Sequence, residues 1–222
     1  MVATPIGNLG DLTFRALEVL KSADRILCED PRQTLKLLSH YGIQKPLFTV
    51  SGPRERRDSD KVLQYLAQGQ NLALVTDAGT PGVSDPGAWL VDAARRGGFD
   101  VVPVPGVSAV ACAVSVAGYL ENGFVYLGFL HRKKGKLKKE LVGASSGSRA
   151  VLFFESPHRI IKTLEAAQEA LGSAVVCWIG REMTKKFEEY YEGPLADVIE
   201  KLKRGKVMGE FTVILKPVGS AQ

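Results

Sequence analysis

Residues 152–159 read Leu152-Phe153-Phe154-Glu155-Ser156-Pro157-His158-Arg159. An apolar run stops at a carboxylate. A serine suited to capping comes next, then a proline suited to a first helical turn and two groups that can carry charge. The pattern reads as a buried strand ending where a helix begins. In α/β proteins ligands bind at that end of a strand, and a strand that served packing alone would have no use for Glu155, His158 and Arg159 at its exit. The rival reading is an ordinary strand–helix junction with solvated charges. Two further junctions of the same kind favour the functional one.

Outward from this stretch, apolar runs and helical patterns alternate along the whole chain. Strands are expected at 25–29, 47–50, 71–76, 99–104, 124–129, 149–154, 174–180 and 209–216, and a short antiparallel edge strand at 187–192. Helices are expected at 12–22, 31–40, 58–68, 85–97, 107–117, 158–171 and 194–204. Ile160, Ile161, Leu164, Ala167 and Leu171 mark the clearest helical spacing. Such alternation predicts an α/β fold with mostly parallel sheets. A seam near Gly118-Tyr119-Leu120-Glu121-Asn122-Gly123, after which the pattern restarts, predicts two α/β domains, 1–118 and 119–222, with a ligand cleft between them.

The chain has 222 residues, 45% of them hydrophobic, enough for a substantial core. No apolar stretch approaches the ~20 residues that span a bilayer, and the start lacks a signal-peptide pattern, so a cytoplasmic protein is expected. Cys28, Cys112 and Cys177 are scattered, with no CxxC pair and no clustered histidine, which argues against a metal site or disulfides. The net charge is +5 and the pI about 9.1. Residues 132–139 carry six basic groups in eight positions. This run is expected to bind nucleic-acid phosphates through Arg132, Lys133, Lys134, Lys136, Lys138 and Lys139, and Gly135 within it argues for a mobile segment. Arg54, Arg56 and Arg57 form a second basic cluster. Lys201, Lys203, Arg204 and Lys206 form a third, read as a solvated face.

The two further junctions lie in the first half. At residues 72–87 a buried strand opens into Thr76-Asp77-Ala78-Gly79-Thr80-Pro81-Gly82-Val83-Ser84-Asp85-Pro86-Gly87, with Ser84 or Asp85 expected to cap the next helix. Its glycines and prolines suit a rigid, closely approachable backbone wall. At 101–109 a strand leaves through Pro105-Gly106 into another helix. A glycine-bearing turn at residues 3–11 is a weaker signal. It fits neither a Walker A loop nor a dinucleotide fingerprint.

These junctions, in this order, resemble the tetrapyrrole-methylase superfamily, the class III fold of S-adenosylmethionine-dependent methyltransferases, and within it the branch acting on small-subunit ribosomal RNA. The resemblance is carried by residues 2–11, Cys28-Glu29-Asp30, residues 77–87, residues 105–109, Gly128-Phe129-Leu130, residues 154–159, Arg181-Glu182-Met183-Thr184-Lys185 and Gly209-Glu210-Phe211. It implies two αβα domains of the tetrapyrrole-methylase type with a cofactor cleft between them, a homodimer, S-adenosylmethionine as cofactor, and 2′-O-methylation of a cytidine in the decoding region. It implies cofactor contacts from Leu9, Thr80, Pro81, Val83, Pro105, Gly106, Val107, Ser108 and Phe154, with Thr80 contributing through its backbone. Asp30-Pro31-Arg32, residues 50–57 and His131 depart from the branch's usual residues, and the chain begins almost at Val2-Ala3-Thr4.

A ribose hydroxyl attacks a methyl group only when its proton is shared with a base. Glu155 and Glu182 are the expected acceptors, with His158 and Lys185 as further candidates, and Arg159, Arg181 and Lys185 are expected to grip phosphate. A salt-bridge network holding the strand ends competes with that assignment. Two other functions remain open: a methyltransferase acting on a tetrapyrrole macrocycle, and an RNA-binding protein that has lost catalysis.

Overall fold

The computed structural model describes residues 1–216 except Ser51, Pro53, Arg54, Tyr119, Glu121, Gly147, Ser148 and Ala174. Arg54 of the second basic cluster, and Tyr119 and Glu121 of the expected seam, therefore lie outside the described residues. The chain divides into two compact units, Met1–Ser108 and Ala109–Gln222.

The first unit contains helix α1 (Phe14–Ser22), strand β1 (Arg25–Cys28), α2 (Pro31–His40), β2 (Leu47–Thr49), α3 (Glu55–Ala67), β3 (Leu72–Leu74) and α4 (Ala88–Arg96). Its strands are parallel in the order β2-β1-β3, with Leu27 level with Phe48 on one side and Leu74 on the other. Thr13 starts α1 by accepting from the Ala16 N–H. Asp30 starts α2 by accepting from the Arg32 N–H, with Pro31 in the first turn. Ala16, Leu20, Ile26, Leu38, Ala73 and Val75 form a core between sheet and helices, each large aliphatic side chain contributing about 1.5–3 kcal/mol by leaving water.

Two expectations fail here. Residues 99–104 form no strand; only Val104 bridges, parallel to Val2. Their partner is the three-residue run Met1–Ala3, which reaches Val104 through the Val104 N–H to Met1 O and Ala3 N–H to Val104 O bonds, and Pro103 and Pro105 have no N–H to extend a ladder. Helix α4 starts at Ala88 behind Gly87, without a side-chain cap, so neither Ser84 nor Asp85 caps it.

The second unit contains α5 (Ala109–Val116), β4 (Phe124–Phe129), α6 (Lys134–Ser145), β5 (Ala150–Glu155), α7 (Ile160–Leu171), β6 (Val176–Arg181), β7 (Glu189–Pro194), α8 (Leu195–Arg204) and β8 (Phe211–Lys216). Helix α5 packs on β8, and the Lys216 ammonium donates to Ala117 O, which ties residues 109–117 to this unit ahead of the expected seam. The sheet order is β4-β5-β8-β6-β7. Only β4 and β5 are parallel; β8 runs antiparallel to both β5 and β6, and β7 antiparallel to β6. This sheet is thus mostly antiparallel, against expectation, because the last strand inserts between two earlier ones and apolar runs carry no direction. The expected edge strand is real, as β7. Val151, Phe153, Leu164, Ile179, Leu195 and Val213 build the core.

At residues 152–159 the expected strand forms, but the helix starts later than its capping signals suggest. Ser156 and Pro157 lie in a turn, and α7 begins at Ile160 behind Arg159 with no side-chain cap. From Lys134 onward the basic run is helix α6.

Candidate functional site

In the first unit three corners come together, the turn at residues 3–11 and the strand exits at 72–87 and 101–109. Thr4 and Gly79 exchange both backbone hydrogen bonds, at 2.9 and 3.0 Å, and the Thr4 hydroxyl donates to Thr76 O at 3.2 Å. The Ala3 N–H donates to Val104 O at 3.1 Å. The Thr80 hydroxyl donates to Val107 O at 2.9 Å, which locks the second corner to the third. Thr80 therefore commits its side chain to the scaffold, and its carbonyl accepts from the Val83 N–H at 3.2 Å. A Cβ on Gly106 would come within 3.0 Å of the Ala3 Cβ, so the third corner packs this closely on Ala3 of the first only because residue 106 has no side chain.

Of the expected cofactor contacts, Thr80, Pro81, Val83, Pro105, Gly106, Val107 and Ser108 lie on these joined corners. Leu9 sits in a short 3-10 turn, Leu9–Asp11, whose Leu9 carbonyl accepts from the Tyr41 hydroxyl. Phe154 belongs to the second unit, on β5. Three corners fused by main-chain hydrogen bonds, with Pro81 buried and Gly106 exposed, suit a small ligand recognised by backbone groups and apolar edges. The buried Thr76 hydroxyl, which has no hydrogen-bond partner among the described residues, is a polar group left over for such a ligand. These residues fit S-adenosylmethionine. A cavity of about 520 Å³ in the same unit is a different place: it is lined by Met1, Leu66, Asn71, Leu90, Asp100 and Val102 at the entry ends of the strands, and Thr80, Pro81, Val83 and residues 105–108 take no part in it.

Beside the second corner stands a group of carboxylates that the sequence reading did not single out. Asp77 accepts from the Asp30 N–H at 3.0 Å. Burial, with the charges of Glu29 and Asp77 nearby, pushes the half-buried Asp85 carboxyl up to about 7. Burial and the same crowding raise Glu29. The readable signal was Cys28-Glu29-Asp30, an apolar strand ending in carboxylates like Phe154-Glu155. What could not be read is that Glu29-Asp30 and the loop carrying Asp77 and Asp85, distant in sequence, bring their acids together.

In the second unit the expected catalytic groups hold one another. Glu155 is 2% exposed. It accepts from the Ser156 N–H at 2.8 Å and the Thr163 hydroxyl at 2.7 Å, and pairs with Arg159 at 3.2 Å. Arg159 also donates to Leu130 O and His131 O. Arg181 donates to Met208 O and pairs with Glu189. Lys185 bridges Glu182 and Glu210 at 2.9 Å each. Burial pushes Glu182 up, but the Glu210 N–H and Lys185 outweigh it and hold the carboxyl below its usual range. Burial likewise works against Lys185's charge, and Glu210 and Glu182 override it, keeping that amine raised and protonated. The knot needs Gly209, whose φ is +88° and whose added Cβ would meet Glu182 Cγ at 2.4 Å. His158 is exposed. In the basic run, Lys134 and Lys138 pair with Glu169 on α7, whereas Arg132, Lys133, Lys136 and Lys139 are exposed and make no ion pair among the described residues. No group of His, Cys, Asp and Glu that could hold a metal occurs among the described residues.

Residues 1–199 match the family model described as tetrapyrrole (corrin/porphyrin) methylases. A ribosomal RNA small subunit methyltransferase I of Bacillus subtilis (strain 168) is 42% identical over 217 residues, covering 97% of this chain and 74% of that protein. Its counterpart of the same name in Thermotoga maritima is 41% identical over 215 residues, covering 97% and 96%. A diphthine synthase crystal structure superposes with a TM-score of 0.72 at 15% identity, covering 96% of this chain and 87% of the other, a likeness of fold alone.

Proposed function

Because the chain belongs to the tetrapyrrole (corrin/porphyrin) methylase family, we propose that it methylates a cytidine 2′-hydroxyl in the decoding region of small-subunit ribosomal RNA. The protein is a methyltransferase that uses S-adenosylmethionine. The observation that carries the proposal is the fusion of the three corners through Thr4, Gly79, Thr80 and Val107, joined to the names of relatives matched over nearly the whole chain.

Thr80, Pro81, Val83 and residues 105–108 would hold the donor through main-chain groups, with Leu9 as a further contact. When bound, the donor supplies an electrophilic methyl group. The chain itself must align the ribose oxygen and accept its proton. Glu182 is depressed and Glu155 is fully occupied, so both serve as clips for the ends of β6 and β5. Asp85 suits the proton better: a carboxyl at about 7 is deprotonated in part at neutral pH and basic enough to take one. Arg132, Lys133, Lys136 and Lys139 hold phosphates, and Lys134 joins them only by giving up Glu169. Arg159, Arg181 and Lys185 hold protein groups instead.

No helix among the described residues is long and apolar enough to cross a membrane. A homodimer working in the cytoplasm belongs to this reading. The runner-up, a tetrapyrrole substrate, draws on the family description, but an exposed basic strip suits a strand of phosphates better than a compact macrocycle. Incubation with methyl-labelled donor, and either small ribosomal subunits, naked small-subunit RNA or a porphyrinoid, separates these. Mass-spectrometric mapping should find label on a single ribose of the RNA. Label on the porphyrinoid alone would overturn the reading.

A further inference from the structure

Strand β4 carries an irregularity that its sequence hides. Phe124, Val125 and Tyr126 lie level with Ala150, Val151 and Leu152 of β5, and then the register shifts, so that Phe129 lies level with Phe154. One extra residue is accommodated between Tyr126 and Phe129, where Gly128 takes a φ of +64°. This is a β-bulge, and it has a consequence of parity. Side chains alternate faces along a strand, so without the extra residue Phe129 would join Leu127 on the face of Val151 and Phe153, in the core. The bulge turns it to the opposite face, with Tyr126 and Phe154. There the Phe154 ring stands edge-on to Tyr126 at 5.2 Å and to Phe129 at 5.8 Å. Phe129 ends this aromatic row and is 59% exposed. A bulge that moves a phenylalanine out of a core and into water has no packing rationale.

The residues after Phe129 carry positive charge. Leu130 is buried, and Arg159 donates to the carbonyls of Leu130 and His131, fixing the turn. Arg132 and Lys133 come next, exposed, and four residues of chain place Lys133 within about 14 Å of Phe129. Helix α6 then presents Lys136 and Lys139 three residues apart on one side, while Leu137 and Leu141 face the core and Lys134 and Lys138 turn to Glu169 on α7. A flat exposed ring beside a row of exposed cations is the combination by which proteins hold single-stranded nucleic acid, with bases stacked on the ring and phosphates on the cations.

We propose that Phe129 is a stacking platform for an unpaired base of an RNA strand whose phosphates run along Arg132, Lys133, Lys136 and Lys139. The inference rests on the ribosomal RNA reading above and adds the surface that takes the strand. It assigns two separable contributions. Stacking is insensitive to salt, and phosphate contacts are not.

The test measures binding of a short fluorescein-labelled single-stranded RNA across a range of salt concentrations, with donor binding followed by calorimetry in parallel. Phe129→Leu should weaken RNA about ten- to hundredfold, leave the salt slope as in the unsubstituted protein, and leave donor affinity unchanged. Phe129→Tyr should restore the loss. A strand of the same length built from abasic riboses should bind the unsubstituted protein no better than the full RNA binds the leucine variant. Joint replacement Lys136→Gln and Lys139→Gln should flatten the slope of log affinity against log salt by about 1.4, two phosphates' worth. Equal RNA binding by the leucine variant, weakened donor binding in it, or undiminished binding of the abasic strand would each overturn the assignment. Should Phe129→Leu fail to fold, the tyrosine variant and the abasic strand still decide. Methyl mapping on the unsubstituted enzyme judges the wider reading separately: methylated RNA with no role for the ring sinks only this inference.

Discussion

The two units solve recognition with different materials. The first has strands of three or four residues and relies on its corners: main-chain hydrogen bonds join Thr4 to Gly79, and Gly106 touches Ala3. The second has six-residue strands, and its exits are held by side chains, through Glu155 with Arg159, Arg181 with Glu189, and Lys185 between two glutamates. Backbone groups cannot rotate away and cost little to order, which suits a small ligand of fixed shape. Long charged side chains adapt, which suits a polymer, but those locked in pairs are no longer available to it. The charges that the sequence makes most conspicuous are therefore largely the ones the fold consumes. In the proposed reading the chemistry falls to Asp85 in the first unit, crowded by Glu29 and Asp77.

The sharpest way to break that contrast is Asp85→Asn against Glu155→Gln. The first should lower methyl transfer by about 10²–10⁴-fold, and the second should leave it close to normal. In the unsubstituted enzyme, turnover should climb as pH rises through about 7, where Asp85 loses its proton. The same raised carboxyl means the folded state holds a proton that the unfolded chain has released, so unfolding free energy declines as pH rises from about 4 to 7. Asp85→Asn should remove that decline and stabilise the protein by about 1 kcal/mol at pH 8, reduced from the full shift because the group is half in water. Chemical denaturation at two pH values reads it.

Next in size is Glu155→Ala. Arg159 would lose its partner, and a buried hydroxyl and N–H would lose their acceptor. The expected cost is about 3 kcal/mol in urea unfolding, with donor affinity intact in whatever stays folded. Gly106→Val inverts that result: the branched side chain forces the Ala3 backbone away, and donor binding should fall by about a hundredfold in calorimetry. The smallest effect is expected from Glu169→Gln. Lys134 and Lys138 hold that carboxyl down to about 2, a contribution present above the ordinary glutamate range and lost as pH falls toward 2, but the group is fully in water. The thermal midpoint should scarcely move, while RNA affinity at low salt rises as two lysines are released.

Much of this architecture is written in the amino-acid order. Arg25–Cys28 and Leu47–Thr49 stand out because a short apolar run between helical patterns has no other stable use, and the edge position of Glu189–Pro194 agrees with its charges. Residues 99–104 look equally apolar and form no strand, because pairing depends on a partner and two prolines interrupt the donors. The corners at 72–87 and 101–109 were legible as turns, since Pro-Gly chemistry is local. The bulge in β4 was not: an extra residue changes which face every later side chain occupies without changing the composition that announces the strand. Nor was the burial of Glu155, which is decided by Thr163 in the next helix.

The position of β8 governs how the molecule can be made. Phe211–Lys216 is made after every other strand of its sheet, yet it lies in the centre of that sheet, hydrogen-bonded to β5 on one side and β6 on the other. While translation continues, β4 with β5 and β6 with β7 can form only two separate ribbons with unpaired inner edges, and edges of that kind recruit other chains. The first half is free to complete itself early. The second must wait for Phe211–Lys216 to leave the exit tunnel, so a chain released before Phe211 would carry a finished first half and a sheet with no middle.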